Sequence, residues 1–328
     1  MSVPEKGKKY ASMYVLKAIG AFFVVCIHTK ACVPATEPLL RLAVPIFFMI
    51  SGFFIYDAEW TCAQKKLKKS LRKVFWLTVY ANIFYYFVFY LPLYPIPLNS
   101  FQDILQFIFF GKYFGSHLWY LTAYIEVVLL VLLAGRFKAL NFLWGLTVVF
   151  LIGGILLGKY HILYDNVAPK LILSRNCLTI GLPFFGMGWL LRKYQSRIKL
   201  RYSVLLLMTV ALTVISYMEE YALIRLYNGR GMDGDLLFSS YPLALLFMIL
   251  CMKHSNLGNG SFIEKIGQKY ADGIYIYHLF IAFCIMNCSK HFTIPPALLP
   301  FVCFFVTLAF VICWRALQRQ VISLKQDG

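Results

Sequence analysis

The sequence predicts an all-α, polytopic membrane protein of about ten transmembrane helices, with both termini cytoplasmic. Three observations lead there. Of 328 residues, 60% are hydrophobic and only 14% charged, where a soluble chain carries about 25% charged residues. Apolar runs of about 20 residues, long enough to cross a bilayer core, recur along the whole chain. Lysine and arginine concentrate in alternate loops, the pattern of proteins whose cytoplasmic loops are basic. The spans consume nearly the whole sequence with no glycine- or proline-rich linker, so residues 1–328 read as a single integral membrane domain.

Span 1 is placed at 12–32. Lys6, Lys8 and Lys9 precede it as in a signal peptide, but no small-x-small cleavage site comes before Pro34, which fits an uncleaved first span. Span 2 follows at 38–56, where Pro45 clashes with the carbonyl of Arg41 and is expected to kink the helix. The segment KKLKKSLRK, 65–73, then leads into span 3 at 71–94. Spans 4 and 5, at 117–134 and 139–158, are joined by the short 136–138 turn. Span 6, 174–191, contains Gly186 and Gly188, which with Gly52 of span 2 read as close helix contacts. Spans 7 to 10 follow at 203–222, 236–252, 270–289 and 295–314, and little chain remains after Trp314.

Charge tests this order. With the N-terminus inside, the inner segments hold 22 of the 32 Lys and Arg and the outer ones 9, counting Arg41 and Arg175 at span edges; Lys17, within span 1, completes the set. The net charge of +18 is therefore mostly topology and does not call for nucleic acid. The nine cysteines, Cys32 among them, form no C-x-x-C pair and lie mostly in apolar runs. They read as small core hydrophobes, with no disulfide framework and no metal site.

Orientation sets depth. Span 1 runs outward, so His28 lies about 16 Å above Lys17 at about 1.5 Å per residue. Lys17 can snorkel to the cytoplasmic headgroups; His28 must sit in the outer half, level with Arg41, and the two are expected to face one cavity. The bland readings are an interfacial histidine and a snorkelling arginine. Glu126, in HLWYLTAYIEVVLLVLL, lies about 13 Å from the outer edge, where a carboxylate faces the bundle interior, an ion pathway or a partner. His278, in GIYIYHLFIAF, falls at similar depth, with Tyr275 one turn below on the same face. A Glu126–His278 pair would satisfy both groups, as a structural clasp or as chemistry. His117, Trp119, Glu126, Arg175, Tyr275 and His278 are the candidates for lining a pore or substrate site.

In KKLKKSLRK, Lys65, Lys68, Lys69 and Arg72 share one helical face, flanked by Lys66 and Lys73. That face is either a topology signal set against anionic lipid or a cytoplasmic site for a diphosphate. The sequence contains no Walker loop, G-x-G-x-x-G, G-x-S-x-G or H-E-x-x-H, which weighs against a nucleotide motor, a Rossmann domain and a metalloprotease.

YVLKAIGAFFVVCIHT, LAVPIFFMISGFFIY, HLWYLTAYIEVVLL, SRNCLTIGLPFFGMGWLL and DGIYIYHLF occur in the order found in the acyltransferase-3 family of integral membrane acyltransferases. The chain resembles that family over nearly its whole length, and the run from His28 through VPIFFMISGFF is most similar to the branch of the enterobacterial common antigen O-acetyltransferase. The resemblance implies a ten-helix enzyme of the bacterial inner membrane. Such an enzyme takes an acyl group, usually acetyl, from cytoplasmic acyl-CoA. It delivers it to a sugar hydroxyl of an envelope glycan or its lipid-linked precursor, with no bound cofactor.

On the same resemblance, His28 falls on the family's catalytic first-span histidine; Arg41, expected at the same depth, is a second catalytic candidate from its position alone. Arg72 falls in the basic motif associated with the acyl donor, where Lys69 or Lys73 can substitute for a second arginine; with Lys68 these are the candidates for binding acyl-CoA, since clustered cations neutralise its phosphates. Two positions depart from the pattern. Ser70 stands where the family often has an arginine, and Lys17 replaces the more usual arginine of span 1. With no hydrolase-like or racemase segment after span 10, the stand-alone form is expected. Two other readings stay open: a transporter or exporter of polysaccharide or small polar solutes, with Glu126 and His278 as a proton relay, and an accessory subunit.

Overall fold

The computed structural model describes residues 9–29, 35–90, 100–111, 114–164, 171–227, 235–288 and 294–324. Among them every regular element is a helix. Lys6, Lys8, Cys32, Pro34 and the 91–94 end of expected span 3 lie outside the described residues.

Helix α1 is Ala11–His28. Helices α2, Glu37–Leu40, and α3, Ala43–Ile55, together make the second span. The break between them falls on Arg41 and Leu42, because Pro45 has no N–H to offer the Arg41 carbonyl; the expected kink is a full interruption. Helix α4, Trp60–Tyr85, continues through a π turn at Tyr86–Tyr90. Helix α5, Phe101–Phe110, has no counterpart among the ten expected spans. A capping box of Ser100 and Asp103 starts it, and Gly111 at φ 59° ends it.

Helices α6, Trp119–Arg136, and α7, Leu140–Leu157, follow. Expected span 6 consists of α8, Leu171–Ser174, a π turn at Cys177–Gly181, and α9, Leu182–Lys193. The chain continues with α10, Tyr202–Leu226, and α11, Ser240–Lys253. Helix α12, Phe262–Lys265, runs through a π turn at Ile266–Tyr270 into α13, Ala271–Cys288, and α14 is Leu299–Leu324.

Among the described residues, seven stretches are long and apolar enough to cross a membrane: α1, α2 with α3, α6, α7, α10, α12 with α13, and α14. The chain is accordingly a multi-pass membrane protein. Three of the ten expected spans take another form. The first half of α4 carries the basic segment. Expected span 6 is interrupted by its π turn, beyond which Pro183 opens α9. Helix α11 has 14 residues, about 21 Å, against a hydrocarbon core of about 30 Å.

The helices form two compact units, one of Val44–Ile249 and the other of Lys9–Ala43 with Leu250–Gly328. In the first unit α3 meets α9 backbone to backbone. A Cβ on Gly52 would strike the Phe185 carbonyl, and one on Gly188 would strike the Met49 carbonyl, so larger residues would force the helices apart. Phe48, Phe53, Phe184 and Phe185 fill the core beside this contact. In the second unit α1 packs against α13 and the 266–270 turn. Phe22 seals α1 onto α14 against Phe301, tilted at 5.1 Å between ring centroids, and Phe304, edge-on at 5.3 Å.

Candidate active site

In the second unit His28 ends α1 and is partly exposed. Its ring lies 5.1 Å, centroid to centroid, from the ring of His278, with the planes 46° apart. His278 is wholly buried on α13. Its Nδ1 lies 2.7 Å from the Tyr275 carbonyl oxygen and 3.1 Å from that of Ile274. Tyr275 is buried one turn away, its ring 6.2 Å from that of His278. Arg41 Nε donates to Glu37 Oε1 at 3.0 Å, and the Glu37 carboxylate is itself buried. Lys17 does not snorkel as expected; it donates to Asp272 at 2.6 Å and so pins α1 to α13. Glu37 was readable as a partner from its i, i+4 spacing to Arg41, whereas Asp272 becomes visible only once α1 and α13 are known to be neighbours.

In the first unit Lys65, Lys66, Lys68, Lys69, Arg72 and Lys73 are all exposed along α4. Lys66 is engaged by Asp57 at 3.1 Å. Lys68, Lys69 and Arg72 meet no acidic partner among the described residues. Ser70 turns the other way, its hydroxyl 2.7 Å from that of Tyr124 on α6. Next to this contact, α4, α5 and α6 line an open pocket of about 680 Å³ with mostly apolar walls, and Thr78, Asn82, Tyr86, Thr122 and Glu126 are its polar lining. Glu126 hydrogen-bonds the Cys177 side chain at the start of the 177–181 turn. Glu126 and His278 belong to different units; within its own, Glu126 contacts Cys177 and His278 the carbonyls of Ile274 and Tyr275. Cys177, read from sequence as a core hydrophobe, is a polar partner here. His117 is buried edge-on against Tyr85 at 5.1 Å, and Trp119 is buried at the start of α6.

Ion pairs hold the far ends of this unit's helices. Arg175 grips Asp235 through two bonds, from Nε to Oδ2 and from Nη2 to Oδ1, the latter 2.6 Å. The guanidinium therefore braces the start of α11. Lys159 and Glu220 form a close ion pair with both side chains only 2% exposed. The neighbouring Glu219 accepts from the backbone N–H groups of Phe238 and Ser239 at 2.9 and 3.1 Å. Sequence reasoning passed over Lys159, Glu219 and Glu220. Their signal was opposite charge at the ends of two apolar runs expected on the same side of the membrane.

A family model described as an acyltransferase domain matches residues 10–315. An amino-acid racemase of Enterococcus faecalis is 30% identical over 139 residues, a match that covers 37% of this chain and 18% of the racemase. The chain therefore spans less than a fifth of that protein's length. No solved structure matches.

Proposed function

The chain belongs to the acyltransferase-3 family, and from that premise we propose that it is a membrane O-acyltransferase of the bacterial inner membrane. It takes an acyl group, acetyl first among the candidates, from acyl-CoA on the cytoplasmic side. The acceptor is a sugar hydroxyl of an envelope glycan or its lipid-linked precursor. The observation that carries this reading is the His28 imidazole at the end of a span, set against the buried ring of His278. A neutral imidazole accepts a hydroxyl proton, and a positioned base accelerates such a transfer by about 10² to 10⁴.

In the step that follows, the sugar oxygen attacks the thioester carbonyl carbon as its proton passes to His28. The C–S bond then breaks, the oxygen ester forms, and CoA leaves as a thiolate that takes up the proton. Arg41, a cation of the same unit, serves to orient the acceptor or to stabilise the oxyanion. The exposed face of Lys68, Lys69, Arg72 and Lys73 offers cations for the CoA phosphates. The test uses purified protein in lipid vesicles with acetyl-CoA labelled in the acetyl group. Release of label to water or onto a glycan acceptor is expected. Solute uptake without acyl consumption would make the chain a transporter instead.

A further inference from the structure

We propose that His278 is the positioning residue of His28, a second imidazole that holds the first in the orientation and tautomer needed for proton transfer. The inference rests on the reading of His28 as the base. A carbonyl oxygen can only accept a hydrogen bond, so His278 Nδ1, within reach of the Tyr275 and Ile274 carbonyls, must carry a hydrogen. In the neutral ring that leaves Nε2 as the acceptor. The ring is buried and anchored to its own helix, and its backbone carbonyl takes the Cys303 thiol of α14 at 3.6 Å. His278 is thus a fixed group. His28 is the last residue of α1.

At 5.1 Å between centroids the two ring edges are within contact reach. When His28 takes the hydroxyl proton it becomes an imidazolium with two N–H groups. One faces the substrate oxygen and later returns its proton to the CoA thiolate. The other, which never leaves His28, turns to His278 Nε2, and a bond formed there gains strength as charge develops on His28. The base is thereby oriented by a third group, the logic of nucleophile–base–orienter arrangements, with a neutral ring in the place of the more usual carboxylate.

His278→Asn and His278→Gln separate this role from a structural one. The Asn amide can still donate to the Tyr275 carbonyl but offers nothing toward His28; the Gln amide reaches further, toward the position of Nε2. The assay is acetyl transfer in vesicles with kcat and KM separated, alongside thermal melting. His278→Asn is expected to lower kcat about 10- to 100-fold, the usual loss for an outer partner of a functional imidazole, with the KM for acetyl-CoA and the melting curve unchanged. His278→Gln should recover several-fold of that loss. The double variant with His28→Ala should be no slower than His28→Ala alone, since the two act as a unit. A His278→Asn enzyme within about threefold of wild type, or losses that multiply in the double variant, would overturn the proposal while leaving His28 as the base. Should the Asn variant fail to insert, a His278→Gln enzyme that inserts but is as slow as His28→Ala overturns it too. A His28→Ala enzyme that keeps its rate removes the base itself, a different result.

Discussion

The Ser70 and Tyr124 hydroxyls lie 2.7 Å apart and join α4 to α6 in the middle of the basic segment. The resemblance leads one to expect a basic side chain at position 70, but the helix turns that position toward its neighbour while Lys68, Lys69, Arg72 and Lys73 remain exposed. Ser70→Ala removes one hydrogen bond, at a cost of about 1 kcal/mol. Ser70→Arg must drive a guanidinium into a packed helix contact, at a cost of about 1–3 kcal/mol. Melting should therefore fall further for Ser70→Arg than for Ser70→Ala, with no gain in acyl-CoA affinity. Tighter donor binding by Ser70→Arg at unchanged stability would return position 70 to the donor face.

The donor face itself is tested by comparing two exposed arginines. Arg72 lies on α4 in a segment with five other basic residues, whereas Arg197 lies outside it, its guanidinium 5.0 Å from the Tyr194 ring. Both count equally as topology signals. If the α4 cations pair with CoA phosphates, Arg72→Ala should raise the Kd for acyl-CoA several-fold while Arg197→Ala leaves it unchanged. Equal effects at matched expression would reduce the segment to a topology signal.

The parts of the fold that lipid dictates were legible in the sequence. A bilayer core admits only segments that satisfy their own backbone, so the seven long apolar helices announce themselves, and Pro45 marks the break at Arg41. Gly52 and Gly188 likewise follow from close helix approach. What depends on which helices are neighbours was not legible. His28 and His278 each stood out as a polar group in an apolar run, yet nothing in the sequence paired them with each other. Depth is a one-dimensional coordinate and cannot tell adjacent helices from distant ones. Lys17 with Asp272 and Glu126 with Cys177 escaped for the same reason. Helix α5 escaped for another: its signal was a four-residue capping box before a run too short to read as a span.

The Lys159–Glu220 pair yields a prediction about stability. Both side chains are almost wholly buried, so removing one partner leaves the other charge without compensation, at a cost of about 3–5 kcal/mol. Replacing both with apolar residues of similar size removes the desolvation cost along with the attraction and is often close to neutral. Lys159→Met and Glu220→Leu should each lower the melting temperature sharply, and the double variant should melt above either single one. A double variant that melts below both would mean that the pair is worth more in place than well-packed apolar side chains.

His28 carries the most direct prediction. It ends its helix, and the Thr29 hydroxyl closes that end on the Val25 carbonyl at 2.8 Å, so loss of the imidazole should leave the fold standing. As a general base it should contribute a factor of about 10² to 10⁴. His28→Ala is therefore expected to insert normally, to bind acyl-CoA as wild type does, and to fail in transfer. Arg41→Ala should show a smaller loss, because a cation that orients substrate or meets an oxyanion leaves the proton transfer in place. Its pair with Glu37 also means that the loss will include some destabilisation of α2, so transfer must be compared between purified variants at matched melting temperature. Retention of more than about a tenth of the wild-type rate by His28→Ala falls below the smallest loss a positioned base produces. That result would end the assignment and pass the role to His278 or to His117, whose ring is buried against Tyr85.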